Sequence, residues 1–575
     1  MDKTENADSP KTSAEPDPRS AWDADLQGVT APAPAKQPDS GASTIELGNP
    51  YAAPAGGRPV AEADQAKPVV AVSAPAEWTV AVDLAWHANA NQPQLEAQKI
   101  AALKEESRDK SVDIIVQAYE PGKSADGKDE MHIERLLIRN GQVTDLGQQA
   151  SRGEAQDLTD LLQFAGAQAP SKNLALVFND DGAASLGFGG DLPPLTMPQF
   201  NQAIVDGLKG GSHSKLDVLD FDACIMGDTA VLDKSSSISN HVVASSEVES
   251  GRVENGVITS AGQDVTGVLK DLLARPGLTS GQLADDFVKR ADDQARQDKQ
   301  SAGADFVMPE NATLAHFDMS KMDQFESSLD RFGAALAAAG KTPANLDWIK
   351  LAVNASEELA RPMDRDAGSG RQHDLKSFVG QIQLAIKDGK LPDPDGTIGR
   401  AASDLLSQQQ HLTASSHLEQ DPIFSYKDQG GLATFLPDSN FAKYFHSQNP
   451  LTELEEMSAG PSHRWVRPED RQTYLAPFDQ GIERLKERTP AELQSQLEPL
   501  IAARNALSQS KDDSQFAQNY LAFNRTVWSM MHSDTASNLN RQDQAEMDRW
   551  FAASGMSQAP GWNAFIAQLK PSDKQ

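Results

Sequence analysis

The 575 residues predict an α/β protein: a mainly parallel sheet flanked by helices, with a helical region at the C-terminal end and a disordered tail in front. Three observations predict it. Apolar runs of strand length at 79–84 (TVAVDL), 112–118 (VDIIVQA), 173–178 (NLALVF) and 216–221 (LDVLDF) are separated by stretches with helical spacing. Crossovers of that kind make parallel sheets covered on both faces. Beyond Leu283 the texture turns helical, and residues 1–76 hold 11 of the chain's 33 prolines with few large apolar side chains. Such a segment buries too little surface to offset its ordering entropy.

The tail opens with Asp2, Glu5 and Asp8 and has no apolar run of signal-peptide length, so nothing in it reads as a secretory signal. The globular part is expected from 77 to 448. After the first two strands, 133–139 and 142–145 form a hairpin turned by Asn140-Gly141, a dipeptide suited to a two-residue turn. The unit 173–221 is strand, loop, helix, strand, its helix over 199–208 marked by Phe200, Ile204 and Leu208. Later helices are expected at 325–336, 346–359 and 375–386, and a short strand pair at 423–426 and 432–436 is expected to extend the sheet edge. Residues 449–575 read as an appended helical region, whose Phe523, Trp528 and Met531 are expected in a core.

Composition narrows the function classes. A formal charge of −31 with a pI near 4.7 excludes a general nucleic-acid binder and suits a basic partner. One cysteine excludes an intramolecular disulfide. No run of about 18 apolar residues is present to span a membrane. The expected compartment is the cytoplasm, with export by a route that needs no cleaved signal left open.

That cysteine, Cys224, follows the strand 216–221 in Asp222-Ala223-Cys224. Open α/β sheets place their reacting groups just past the carboxyl ends of strands, so Cys224 is a nucleophile candidate; a free cysteine also serves as a small buried hydrophobe. The neighbouring strand 173–178 ends in Asn179-Asp180-Asp181-Gly182. On either side stand Ile133-Glu134-Arg135-Leu136, Asp145-Leu146-Gly147, HVVASSE at 241–247, TLAHFDMSKM at 313–322, His373-Asp374-Leu375 and Gly430-Gly431-Leu432. This ordered series, over roughly 78–445, resembles the clostripain family of cysteine peptidases, which have a caspase-like fold.

The resemblance implies a nucleophile at Cys224, oxyanion-binding amides at Cys224 and Gly182, and cleavage after arginine or lysine held by a carboxylate, Asp222 or Glu247. It also puts Asp181 where the family has its histidine. A carboxylate disfavours the thiolate, and losing a positioned base costs roughly 10²- to 10⁴-fold. His87, beyond the strand 79–84, is the candidate substitute base, or an ordinary loop histidine. Asp222 reads equally as a cap for the helix after Cys224.

Some members mature by cleavage after a basic residue, here Arg252, Lys270 or Arg275, each of which also reads as plain solvated charge. Calcium, needed by some members, is invited by Asp180-Asp181 and Asp364-Arg365-Asp366, though neither has the spacing of a calcium loop. No cofactor is otherwise expected. Two functions follow: a cysteine endopeptidase, or a pseudopeptidase whose cleft binds a basic peptide without cutting it.

Overall fold

The computed structural model describes residues 75–570 apart from 86–91, 125–126, 189–194, 248, 250, 255–256, 301–305, 309–312, 360–371, 419–428, 440, 442–448 and 460–470. Its frame begins with β1 (Ala76–Leu84), β2 (Val112–Lys123), β3 (Asp129–Arg139), β4 (Gln142–Ala150), β5 (Ser171–Asn179), β6 (Leu216–Asp222) and β7 (Ser239–Ala244). Three short strands, β8 (Gly251–Glu254), β9 (Val257–Ala261) and β10 (Phe306–Met308), make a separate sheet. Then come β11 (Thr313–Asp318), β12 (Gln372–Asp374), β13 (Thr413–Leu418) and β14 (Ala433–Phe435).

The main sheet runs β13-β11-β7-β6-β5-β1-β2-β3-β4. Its five middle strands, β7 to β2, pair in parallel, and each edge is finished by antiparallel strands. The expected α/β sheet is therefore present. Burial explains it: along β1, Val80, Val82 and Leu84 enter one core while Ala81 enters the other, so the strand is apolar on both faces. The β3–β4 turn uses Asn140 and Gly141 at φ 48° and 74°, the left-handed pair that a tight hairpin needs.

On one face of the sheet lie α1 (Glu154–Gln168), α2 (Met197–Leu208) and α3 (Thr229–Ser235); α4 (Val265–Ala274) and α5 (Ser280–Gln300) pack on the other. Among the described residues no helix is long and apolar enough to cross a membrane. Two expectations are corrected. Residues 432–436 do not extend the sheet edge: β14 pairs with β12 in a two-stranded sheet, and 423–426 lie outside the described residues. The edge is β13, whose polar sequence TASSHL carries little strand signal. The run 241–247 is strand only to Ala244, after which Ser245 Oγ bonds the backbone of Glu247 in a turn.

Near the C-terminal end, Leu454, Phe478, Tyr520 and Phe523 share a core of their own, which also buries Val527. Trp528 is not in it; it is 62% exposed and lies at a tilt against the His532 ring. The last helices behave differently. With α6 (Met322–Ala339), α7 (Asp534–Ala553) and α8 (Pro560–Leu569) contribute Phe332, Trp550, Trp562 and Phe565 to the core of the main sheet. Small residues permit this approach. A Cβ at Gly333 would overlap Trp562 Cα and sit 2.5 Å from its nitrogen, and one at Gly561 would sit 2.6 Å from the Asp330 carbonyl oxygen. Gly333→Val is expected to cost about 1–3 kcal/mol through overpacking and to lower the denaturation midpoint; an unchanged midpoint would mean that α6 and α8 do not meet this closely.

Candidate active site

The site is made where β5 and β6, adjacent and parallel, release the chain at the same edge. Asn179 stands in register with Asp222, the next residue's amide, that of Asp180, reaches the Asp222 carbonyl at 3.4 Å, and two turns then carry Asp181-Gly182 and Ala223-Cys224. The turns touch. A Cβ on residue 182 would overlap the carbonyl oxygen of Cys224 and lie 2.9 Å from its carbon and 3.0 Å from its nitrogen. Only glycine lets backbone lie on backbone here.

The chain after Cys224 is strained. Ile225 has φ 55°, a left-handed conformation that a β-branched side chain avoids. It is held by the Ile225 amide on the Glu247 carbonyl at 2.8 Å and the Gly227 amide on the Ser245 carbonyl at 2.6 Å. The bend turns Cys224 away from the strand direction. A helix follows, capped by Asp228, whose Oδ1 accepts from the amides of Ala230 and Val231 at 2.9 and 3.2 Å. The cap is thus Asp228 and not Asp222, because four residues of turn separate Cys224 from α3.

Acidic groups surround the thiol. Cys224 is half-buried, and its Sγ accepts a hydrogen bond from the Glu249 amide at 3.4 Å. Burial pushes its pKa up, the Glu249 amide pulls it down, and the charges of Asp181 and Asp222 push it up again, to about 12. Asp222 is buried, and its carboxylate accepts from Gln263 N at 2.7 Å and Asn179 Nδ2 at 2.8 Å. Glu249 Oε1 accepts from Gln263 Nε2 at 2.9 Å, and its pKa is raised by burial and then by Asp222. Two parallel strand ends, carrying Asp-Asp-Gly and Asp-Ala-Cys, thus place a thiol against carboxylates.

Residues 134–378 match the model of the clostripain family of peptidases. No curated protein matches the chain. Similar solved structures include a secreted C11 cysteine protease from Bacteroides thetaiotaomicron, at 13% identity, with 65% of this chain and 98% of that one covered and a TM-score of 0.44. An inactive zymogen C11 protease from Parabacteroides distasonis has 12% identity, 66% and 97% coverage and a TM-score of 0.44. A clostripain from B. thetaiotaomicron, in complex with a peptide inhibitor, has 10% identity, 46% and 94% coverage and a TM-score of 0.28.

Within the matched segment, Cys224, Asp181, Gly182 and Asp222 come together. Glu247 is buried at the turn after β7, where its carbonyl holds Ile225. His87 lies outside the described residues, as do Asp364 and Asp366. Among the described histidines, His213 reaches the Ser171 carbonyl at the far end of β5, and His241 pairs with His316 at 2.9 Å. Arg252 falls within β8, Lys270 within α4 beside Glu106 at 3.3 Å, and Arg275 on Asp286 at 2.6 Å.

Sequence reading missed Glu249 and Gln263, the two stems of the β8–β9 hairpin; the Glu-Val-Glu spacing was the one available signal, and only its first member was considered. Of the two acidic pairs offered for calcium, only Asp180-Asp181 lies among the described residues, and it is not arranged as a ligand set. Asp180 Oδ1 is taken by the Asp181 amide at 2.7 Å, and among the described residues no three His, Cys, Asp or Glu side chains gather as ligands.

Behind Asp181 lies a second acidic group. Burial raises Asp83 to about 7, Asp180 to about 8 and Glu154 to about 9; Asp180 adds to the shift of Glu154. Each folded value stands above the unfolded one, so the stabilising effect is full below the unfolded pKa near 4 and lost as pH rises through 7 to 9. Melting temperature is therefore expected to fall from about pH 4 upward and to level off once pH passes 7 to 9, with Glu154→Gln flattening the descent. Iodoacetamide should modify Cys224 at pH 8 roughly 10³-fold more slowly than free cysteine, rising tenfold per pH unit beyond pH 9, and faster in Asp181→Asn. A rate that levels off below pH 9 contradicts the carboxylate environment.

Proposed function

We propose that the chain is a clostripain-like peptide-binding module: its cleft receives a basic side chain, and Cys224 stays protonated, so bound peptide is not cut at neutral pH. What supports this reading is the setting of Cys224 among described residues: its Sγ meets the Glu249 amide at 3.4 Å, and the charges of Asp181 and Asp222 oppose its thiolate. A thiol near 12 offers almost no thiolate at pH 7, and carboxylate charge beside it works against forming one, where an imidazolium would favour it.

The same groups favour a cation. Asp222 and Glu249 meet at the end of β6, where a guanidinium or ammonium would find two carboxyl groups and release the proton they share. Gly182 lies against the Cys224 backbone, which supports a shared role for the two amides that the family uses for an oxyanion. Binding without turnover is what such a site supports. The net charge of −31 adds long-range attraction for a basic partner, and high salt should weaken it.

The test uses fluorescent arginyl and lysyl peptides with an amide reporter after the basic residue. Binding without cleavage is expected for the unmodified protein, weaker binding for Asp222→Asn, and slow cleavage in Asp181→His that Cys224→Ala abolishes. Hydrolysis by the unmodified protein, lost in Cys224→Ala, returns the chain to the endopeptidases, with His87 the first base to substitute.

A further inference from the structure

The turn that joins α7 to α8 lies about 330 residues beyond the cleft in sequence, yet it contacts the segments that follow both site-bearing strands. On the β5 side, the chain leaves Gly182 through a tight turn: the Ala183 amide bonds the Gly187 carbonyl at 2.8 Å, and Ala184 is held at φ 50°. Ser185, buried in that turn, shares a hydrogen bond of 3.0 Å with Ser554, also buried.

On the β6 side, α3 begins five residues after Cys224, and its last turn carries Asp233 and Lys234. Lys234 Nζ donates to the carbonyl of Ala553 at 2.7 Å and of Gly555 at 3.4 Å, which places a cation at the end of α7 where helix carbonyls lack partners. Asp233 accepts from the amide and hydroxyl of Ser557 at 3.1 and 2.7 Å. The turn is itself stiff, since Asn563 bonds Met556 N and O at 3.0 and 2.7 Å.

We infer that residues 553–557 are a positioning element for the cleft, tying the turn after Asp181-Gly182 to the helix after Cys224 and so fixing how closely the two site turns lie. The inference rests on the reading of that cleft as a binding site, but its geometry is independent of any ligand. Ser554, Lys234 and Asp233 act through Ser185 and α3. They touch neither the thiol nor its carboxylate neighbours.

The substitutions to compare are Ser554→Ala, Lys234→Met and Lys234→Arg, in the full chain. Amide exchange at 182–188 is expected to accelerate in Ser554→Ala and Lys234→Met. Opening the turn relieves part of the burial of Cys224, and half a pKa unit of relief speeds its alkylation roughly threefold below pH 9. Lys234→Arg, which retains donors for the Ala553 and Gly555 carbonyls, should restore most of the original rate. Arginyl-peptide binding should weaken in step.

Faster exchange confined to α7 and α8, with the alkylation profile of Cys224 unchanged, overturns the inference. Should Lys234→Met fail to fold, the single hydroxyl removed in Ser554→Ala decides the matter by the same two readouts. If the unmodified protein binds no basic peptide, the proposed function fails while alkylation and exchange still judge the turn.

Discussion

The close contact on which the site depends is one of backbone with backbone. Parallel pairing brings Asn179 and Asp222 into register, and the absence of a side chain at Gly182 lets the next turn lie on Cys224. The near side of the cleft is built on that approach. Asp181 is set beside the thiol because its neighbour has no Cβ, and Cys224 is turned aside because Ile225 accepts a left-handed backbone between two carbonyl anchors. Strain of that kind persists only where surrounding bonds over-determine it, and here the residues after β7 supply them.

Much of this was legible in the sequence, for a definite reason. The central strands are apolar on both faces, so runs such as NLALVF and LDVLDF mark themselves, and the turn residues that end them form the candidate site. Cys224 and Asp222 could thus be placed at a strand end from the chain alone, while Asp181 and Gly182 were singled out by the family resemblance, and the structure brings all four together. What could not be read was whatever depends on distance through space. Glu249 and Gln263 stand at the two stems of a hairpin and close over Asp222 from beyond the next strand. Periodicity says nothing about where a hairpin folds back.

The C-terminal end makes the same point in reverse. Its helical spacing was plain, but spacing cannot tell a helix that serves its own small core from one that enters another. Phe478 and Phe523 do the first; Trp550, Trp562 and Phe565 do the second, and the difference turns on Gly333 and Gly561, which leave room for two helix backbones to meet. Glycine inside a helix costs roughly 0.5–1 kcal/mol against alanine, so its place in α6 has to be made good by packing. Trp528, set out in solvent by the same helix that buries Phe523, shows that residue type alone does not decide which face is inward.

The electrostatics bear on whether a ligand could rescue chemistry at Cys224. A guanidinium between Asp222 and Glu249 would cancel part of the negative field that opposes the thiolate. Burial, however, is the largest cause of the shift, and a bound cation that fills the cleft removes more water and leaves that cause in place. The cation therefore returns only the smaller share, and the thiol stays above its ordinary value with peptide bound. An imidazolium at 181 would act differently: it would reverse the sign of the neighbouring charge and furnish the proton that a leaving amine needs. On the proposed reading, the charge of one side chain at the end of β5 is what would divide a cleft that holds a basic peptide from one that cuts it.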